Sequence, residues 1–167
     1  TLGLAPRPKA YLDLFFSLPG EDEALRFLAT ARSYFHGDLG GLTAFEYFGI
    51  NARRYMKHED RFFRGADPVG IYIQEPLFDR EMDEAAEDWL GILAEANVNL
   101  RDDQILSLDT DALRALFTEA RHSTAANYVE AVQHRGTFTV LTDCVVPPER
   151  FPEFLRFAHE RISREGI

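Results

Sequence analysis

Hydrophobic and polar positions alternate from the start of the chain. Between Ala10 and Ser17, Ala10, Leu12, Leu14 and Phe16 fall on one side and Tyr11, Asp13, Phe15 and Ser17 on the other, which predicts a strand. Pro19-Gly20 turns the chain, and the acidic run Glu21-Asp22-Glu23 suits the positive end of a helix dipole. Leu25, Leu28, Ala31 and Phe35 continue at helical spacing, so a helix is predicted from Glu21 to Phe35. After Gly37, Gly40 and Gly41, the aromatic stretch Leu42 to Phe48 alternates again and predicts a second strand, followed by a short helix through Asn51 and Tyr55. The segment from Lys57 to Pro68 mixes charges with Gly65 and keeps no period, which predicts an exposed connection. Val69 to Glu75 is a third strand.

Met82, Ala85, Ala86, Trp89, Leu90 and Leu93 form an apolar stripe among acidic residues, the pattern of a helix lying on a sheet. Gln104 to Leu108 predicts a short strand. Thr110 caps a further helix whose buried side carries Leu113, Leu116, Phe117 and Ala120 and which extends to about Val132. Thr137 to Val146 predicts another strand, and Pro147-Pro148 ends it before a last helix carrying Phe151, Leu155, Ala158 and Ile162. This order fits either a parallel α/β layer or a split βαβ arrangement with antiparallel pairing. Strands buried on both sides read as unbroken apolar runs, whereas Tyr11-Asp13-Phe15-Ser17 and Thr139-Leu141-Asp143 interleave polar groups. The prediction is therefore an α+β fold: a mainly antiparallel, ferredoxin-like sheet with helices on one face and a partly polar face opposite. That second face is where a ligand or a partner domain is expected.

Composition narrows the possibilities. A chain of 167 residues with 46% hydrophobic content is read as one domain, residues 1–167, able to bury a continuous core. Its net charge of -10 offers no general basic surface for phosphates, so nucleic acid is not an expected partner. The longest apolar runs fall far short of the roughly 20 residues needed to cross a bilayer, and no transmembrane segment is expected. The lone Cys144 has no second thiol with which to form a disulfide, which favours a reducing, cytoplasmic setting. The start at Thr1-Leu2 without a Met, and the end at Gly166-Ile167 where a strand would be expected next, suggest a segment cut from something longer.

Motifs for self-sufficient chemistry are missing. There is no glycine-rich phosphate loop, no His-Glu-x-x-His, no paired cysteine and no Gly-x-Ser-x-Gly. His36, His58, His122, His134 and His159 never share the spacing that aims two ligands from one helix face, and no metal site is expected. Arg121-His122 stands out because it lies in a helix beside the buried Phe117 and Ala120. A guanidinium there could grip a carboxylate through two parallel hydrogen bonds; it could equally be a surface arginine paired with Glu119 or Glu130. Glu46 shares its strand face with Ala44 and Phe48 and so either sits on a half-buried face or needs a partner. Tyr47 and Tyr128 could donate to a ligand or simply edge the core, and Asp143 could be a charge guarding a sheet edge.

Three segments, taken together, resemble the C-terminal cap domain of FAD-linked oxidases of the vanillyl-alcohol-oxidase superfamily, especially D-lactate and D-2-hydroxyglutarate dehydrogenases. They are Leu42-Thr43-Ala44-Phe45-Glu46-Tyr47-Phe48; Ala120-Arg121-His122; and Thr142-Asp143-Cys144-Val145-Val146-Pro147 followed by Arg150-Phe151-Pro152-Glu153-Phe154. The resemblance implies oxidation of a small D-2-hydroxy acid such as D-lactate or glycolate, with hydride passing to FAD. It implies that Arg121, with His122 beside it, binds the substrate carboxylate. It also implies that FAD is held mainly by a separate FAD-binding domain of the parent protein, which could be peripheral to a membrane, so that this segment alone is inactive. Leu141 replaces the lysine of hydroxyglutarate-type members, which argues against a dicarboxylate held in that way. The alternative expectation is a non-enzymatic ligand-binding or assembly module on the same fold. A homodimer through an exposed sheet edge is expected if such an edge is left open.

Overall fold

A computed structural model describes residues 6–138 and 144–165. The chain divides into two compact units, Thr1–Ala131 and Val132–Ile167. The first contains β1 (Ala10–Leu18), α1 (Glu21–Tyr34), β2 (Ala44–Phe48), α2 (Glu59–Phe62), β3 (Val69–Leu77), α3 (Met82–Glu95) and β4 (Ile105–Ser107). Helix α4 (Asp111–His134) begins in it. The four strands form one antiparallel sheet in the order β2-β3-β1-β4. With α1 crossing from β1 to β2 and α3 from β3 to β4, this is the βαββαβ ferredoxin-like arrangement that the alternation predicted.

Alternation in the two central strands sorts their side chains into two layers. Leu12, Leu14, Phe16 and Leu18 of β1 join Val69, Ile71, Ile73 and Leu77 of β3 on one side. There they pack against Ala24, Phe27 and Ala31 of α1 and Ala85, Trp89, Ile92 and Leu93 of α3. Trp89 is fully enclosed, and its indole N–H donates to Glu75 Oε2 at 2.7 Å, which satisfies the one polar atom that burial would leave stranded.

The other face differs from the sequence expectation. Phe15, Phe48, Met56, Phe62, Phe63, Tyr72, Leu108, Phe117 and Ala120 make a second apolar cluster there, closed over by α2 and the first half of α4. Phe15 lies at its centre, with the rings of Phe48, Phe62, Phe63 and Phe117 at centroid distances of 5.3 to 5.9 Å. The segment from Lys57 to Pro68, expected as an exposed connection, therefore supplies two fully buried rings, Phe62 and Phe63. They escaped notice because α2 is a single turn, too short for any hydrophobic period to register.

The polar residues of β1 are internal hydrogen-bonding groups rather than an open surface. Ser17 donates to Asp67 Oδ2 at 2.9 Å and accepts from the Arg64 backbone N–H at 2.8 Å. Gln104 donates to the same Asp67 oxygen at 2.6 Å. These bonds tie the β3 approach and the turn before β4 to the end of β1. Thr110 accepts from Leu113 N–H at 3.2 Å and so caps α4 as its position predicted.

In the second unit, the turn Pro148–Arg150 leads into α5 (Phe151–Glu165), with Arg150 bonded to Glu153 at 2.7 Å. Half of the predicted strand from Thr137 to Val146, residues 139–143 with Thr139, Leu141, Thr142 and Asp143, lies outside the described residues; the described part, 137–138 and 144–146, is not strand. No helix among the described residues is long and apolar enough to cross a membrane.

Candidate carboxylate site at the polar end of the second sheet face

Among the described strands β2 lies at the end of the sheet order, and Glu46 at its middle is in register with Tyr72 of β3. Helix α4 passes over the aromatic cluster on Phe117 and Ala120. One residue beyond Ala120, Arg121 reaches back to the strand: its Nε donates to Glu46 Oε2 at 2.6 Å and its Nη2 to Glu46 Oε1 at 2.5 Å. This side-on fork holds the guanidinium plane against the carboxylate plane. The side chains of both residues remain partly open to solvent, 42% for Arg121 and 30% for Glu46. The hydrogen bonds it donates to Glu46 raise the Arg121 pKa still further above its ordinary value. Its charge is permanent under any ordinary condition.

The fork uses only one edge of the guanidinium. An arginine side chain carries five N–H donors, and the Nη1 group with the second Nη2 hydrogen forms another edge of the same width. Among the described residues, no protein acceptor engages Nη1. Glu46 thus orients Arg121 and leaves a donor pair of the spacing a second carboxylate accepts.

Behind this pair, burial changes the character of the face. Tyr72 donates to Asp13 Oδ1 at 2.5 Å, and Gln74 donates to the same oxygen at 2.8 Å. Asp13 is 3% exposed, and its Oδ2 has no hydrogen-bond partner among the described residues. Burial first, and then the bond to Asp13, push the Tyr72 phenol well above its usual range, so it stays a neutral donor. Arg114, one turn before the aromatic contact of α4, donates to the Leu108 carbonyl at 2.8 Å and to Asp111 at 2.7 Å.

The predicted site residues separate. Arg121 takes neither Glu119 nor Glu130 but Glu46, which answers the sequence's question about that strand carboxylate. His122 is exposed and points elsewhere, because adjacent helix positions diverge by about 100°. Tyr47 donates to Glu21 beyond the edge of the opposite layer, and Tyr128 stacks edge-on against Tyr55 at 5.5 Å. Glu119 instead meets Lys57 at 3.4 Å. Asp13, Tyr72 and Gln74 were not singled out in advance. Asp13 gave a signal, since a charged residue flanked by Leu12 and Leu14 on a strand needs partners once both faces close.

Among the described residues no group of three or more metal-ligating side chains exists. No protein-family model matches the chain, and no curated protein matches it either.

Proposed function

We propose that this chain is the substrate-side cap of an FAD-dependent enzyme that oxidises a small D-2-hydroxy acid such as D-lactate or glycolate. In this reading Arg121 binds the substrate carboxylate. The observation that carries it is the side-on fork that Arg121 donates to Glu46, which fixes the guanidinium and keeps a second donor edge available on a partly exposed surface. One further point supports it: two of the segments that carry the resemblance, around Glu46 and around Arg121, meet in space.

The described residues do not fit FAD itself. They contain no glycine-rich phosphate turn. The flavin belongs, in this reading, to the FAD-binding domain of the parent polypeptide, and no electron-transfer role falls to the residues of this chain. Their work is binding and orientation. His122 follows Arg121 on α4 and is exposed.

The intact flavoprotein tests the reading. Replacing Arg121 by Ala removes a charge-assisted double hydrogen bond, so KM for the hydroxy acid should rise about 10- to 100-fold. An unchanged KM would overturn the assignment. A parent gene with no FAD-binding domain would favour the alternative, a ligand-binding or assembly module without redox chemistry.

A further inference from the structure

The short helical turn Ala52–Tyr55 that follows β2 carries two adjacent arginines, and both line one groove of the first unit. Arg53 is held on three sides. Its Nε donates to the Glu59 carboxylate, its Nη1 to the Gly65 carbonyl at 2.8 Å and the Asp67 carbonyl at 3.2 Å, and its guanidinium carbon lies 5.7 Å from the centre of the buried Phe63 ring. Among the described residues nothing accepts from Nη2, so a fixed guanidinium keeps two hydrogens to give. Arg54 is exposed and has no hydrogen-bond or ion-pair partner among the described residues. Its whole donor fork is available.

Charge and apolar surface around these donors narrow the ligand. Two arginines against one glutamate, Glu59, leave the groove lining with one uncompensated positive charge, in a chain whose net charge is -10. The nearby Asp67 turns its carboxylate inward, to Ser17 and Gln104. The rest of the lining is apolar: Ile50, 42% exposed, with Met56, Ala66 and Pro68.

We infer that this groove binds a small monocarboxylate with an apolar tail. Arg54 grips the carboxylate through two parallel N–H bonds, Arg53 Nη2 supplies a further donor, and the tail lies along Ile50, Met56 and Pro68. A phosphate monoester is the poorer ligand, because its second charge meets no second uncompensated cation; Glu59 already answers Arg53. Neither Arg121 nor Glu46 lines the groove, so this site stands apart from the one proposed above.

Hexanoate tests the inference on the full chain at neutral pH and constant ionic strength, with the methyl signals of Ile50 and Met56 followed by NMR. Wild type, Arg54→Gln and Arg121→Ala are titrated; Arg54 touches nothing that its loss would unfold. The groove signals should move saturably and with the same Kd in wild type and Arg121→Ala. Arg54→Gln should weaken hexanoate about tenfold, the value of a charge-assisted pair on an open surface. Hexanol, which keeps the tail without the charge, and acetate, which keeps the charge without the tail, should each bind wild type at least about tenfold more weakly. Hexyl phosphate should bind no more tightly than hexanoate. Absence of a saturable shift, equal binding of hexanol or acetate, or an Arg54→Gln variant that binds as wild type does would each overturn the site. Tighter binding of hexyl phosphate would overturn the choice of a singly charged ligand, and loss of the groove shifts in Arg121→Ala would overturn its independence.

Discussion

Gly70 shows how closely the second face is packed. A Cβ built there would run into Phe15 Cζ and lie 3.0 Å from Phe15 Cε2 and 3.2 Å from Phe63 Cε1. Both rings are fully enclosed, so neither has anywhere to move. Gly70→Ala should therefore destabilise the protein by about 1–3 kcal/mol, the usual cost of overpacking, and a denaturant titration would show it as a lowered midpoint at constant m-value. A midpoint unchanged within error would mean that the ring cluster is looser than described. The same residue illustrates what the sequence conceals. A glycine after Val69 reads as a weak point in a strand, and only the cross-strand register, which sets it opposite Ser17 and Phe48 and under the Phe15 ring, gives it a purpose. Arg121 behaves similarly. Its position was visible in the pattern, but its partner lies 75 residues away, and only the sheet order brings the two together.

At the scale of elements, strands and long helices were legible because their apolar residues recur. β1, α1, β3, α3 and α4 begin and end within a few residues of where periodicity and capping place them. α2 was not legible, since four residues make no period, and its rings sit between charges that suggest solvent. The junction of α1 and α3 adds an electrostatic feature that no local pattern announces. Asp88 of α3 accepts from the Tyr34 hydroxyl at 2.5 Å and pairs with Arg80, which also reaches Glu75 at 3.2 Å. The Tyr34 bond, and then Arg80, hold the Asp88 carboxyl below its ordinary value of 3.8. A depressed folded-state pKa adds stability above the unfolded value and loses it as pH falls through the folded one. Asp88→Asn should thus be less stable than wild type at neutral pH, and the gap should close as pH drops below about 3.8. Thermal melts across that range would show it; a gap that widens in acid would contradict the assignment. Because Asp88 is partly exposed, solvent screening should keep the effect small.

For the whole molecule, the distribution of the core matters more than its size. Among the described residues every buried member of the two apolar clusters lies between Leu12 and Ala120, and all four described strands of the sheet that separates them lie in the first unit. Leu155 belongs to neither cluster. The energetic consequence is that hydrophobic stabilisation, which scales with buried apolar area, is concentrated in residues before the end of α4. A chain ending after Gly136 keeps all of α4 together with both clusters. It should unfold in one cooperative transition, with a midpoint within a few degrees of the full-length chain, a difference corresponding to roughly 1 kcal/mol or less. Circular dichroism in both the far and near ultraviolet tests this, since the near-ultraviolet signal of the enclosed Trp89 reports the packing of the first layer directly. Loss of that signal, or a broad transition with exposed apolar surface, would mean that the later residues contribute to the core of the first unit. A retained transition would make the shortened chain a suitable background for ligand titrations, because Glu46, Tyr72, Asp13 and Arg121 all lie within it.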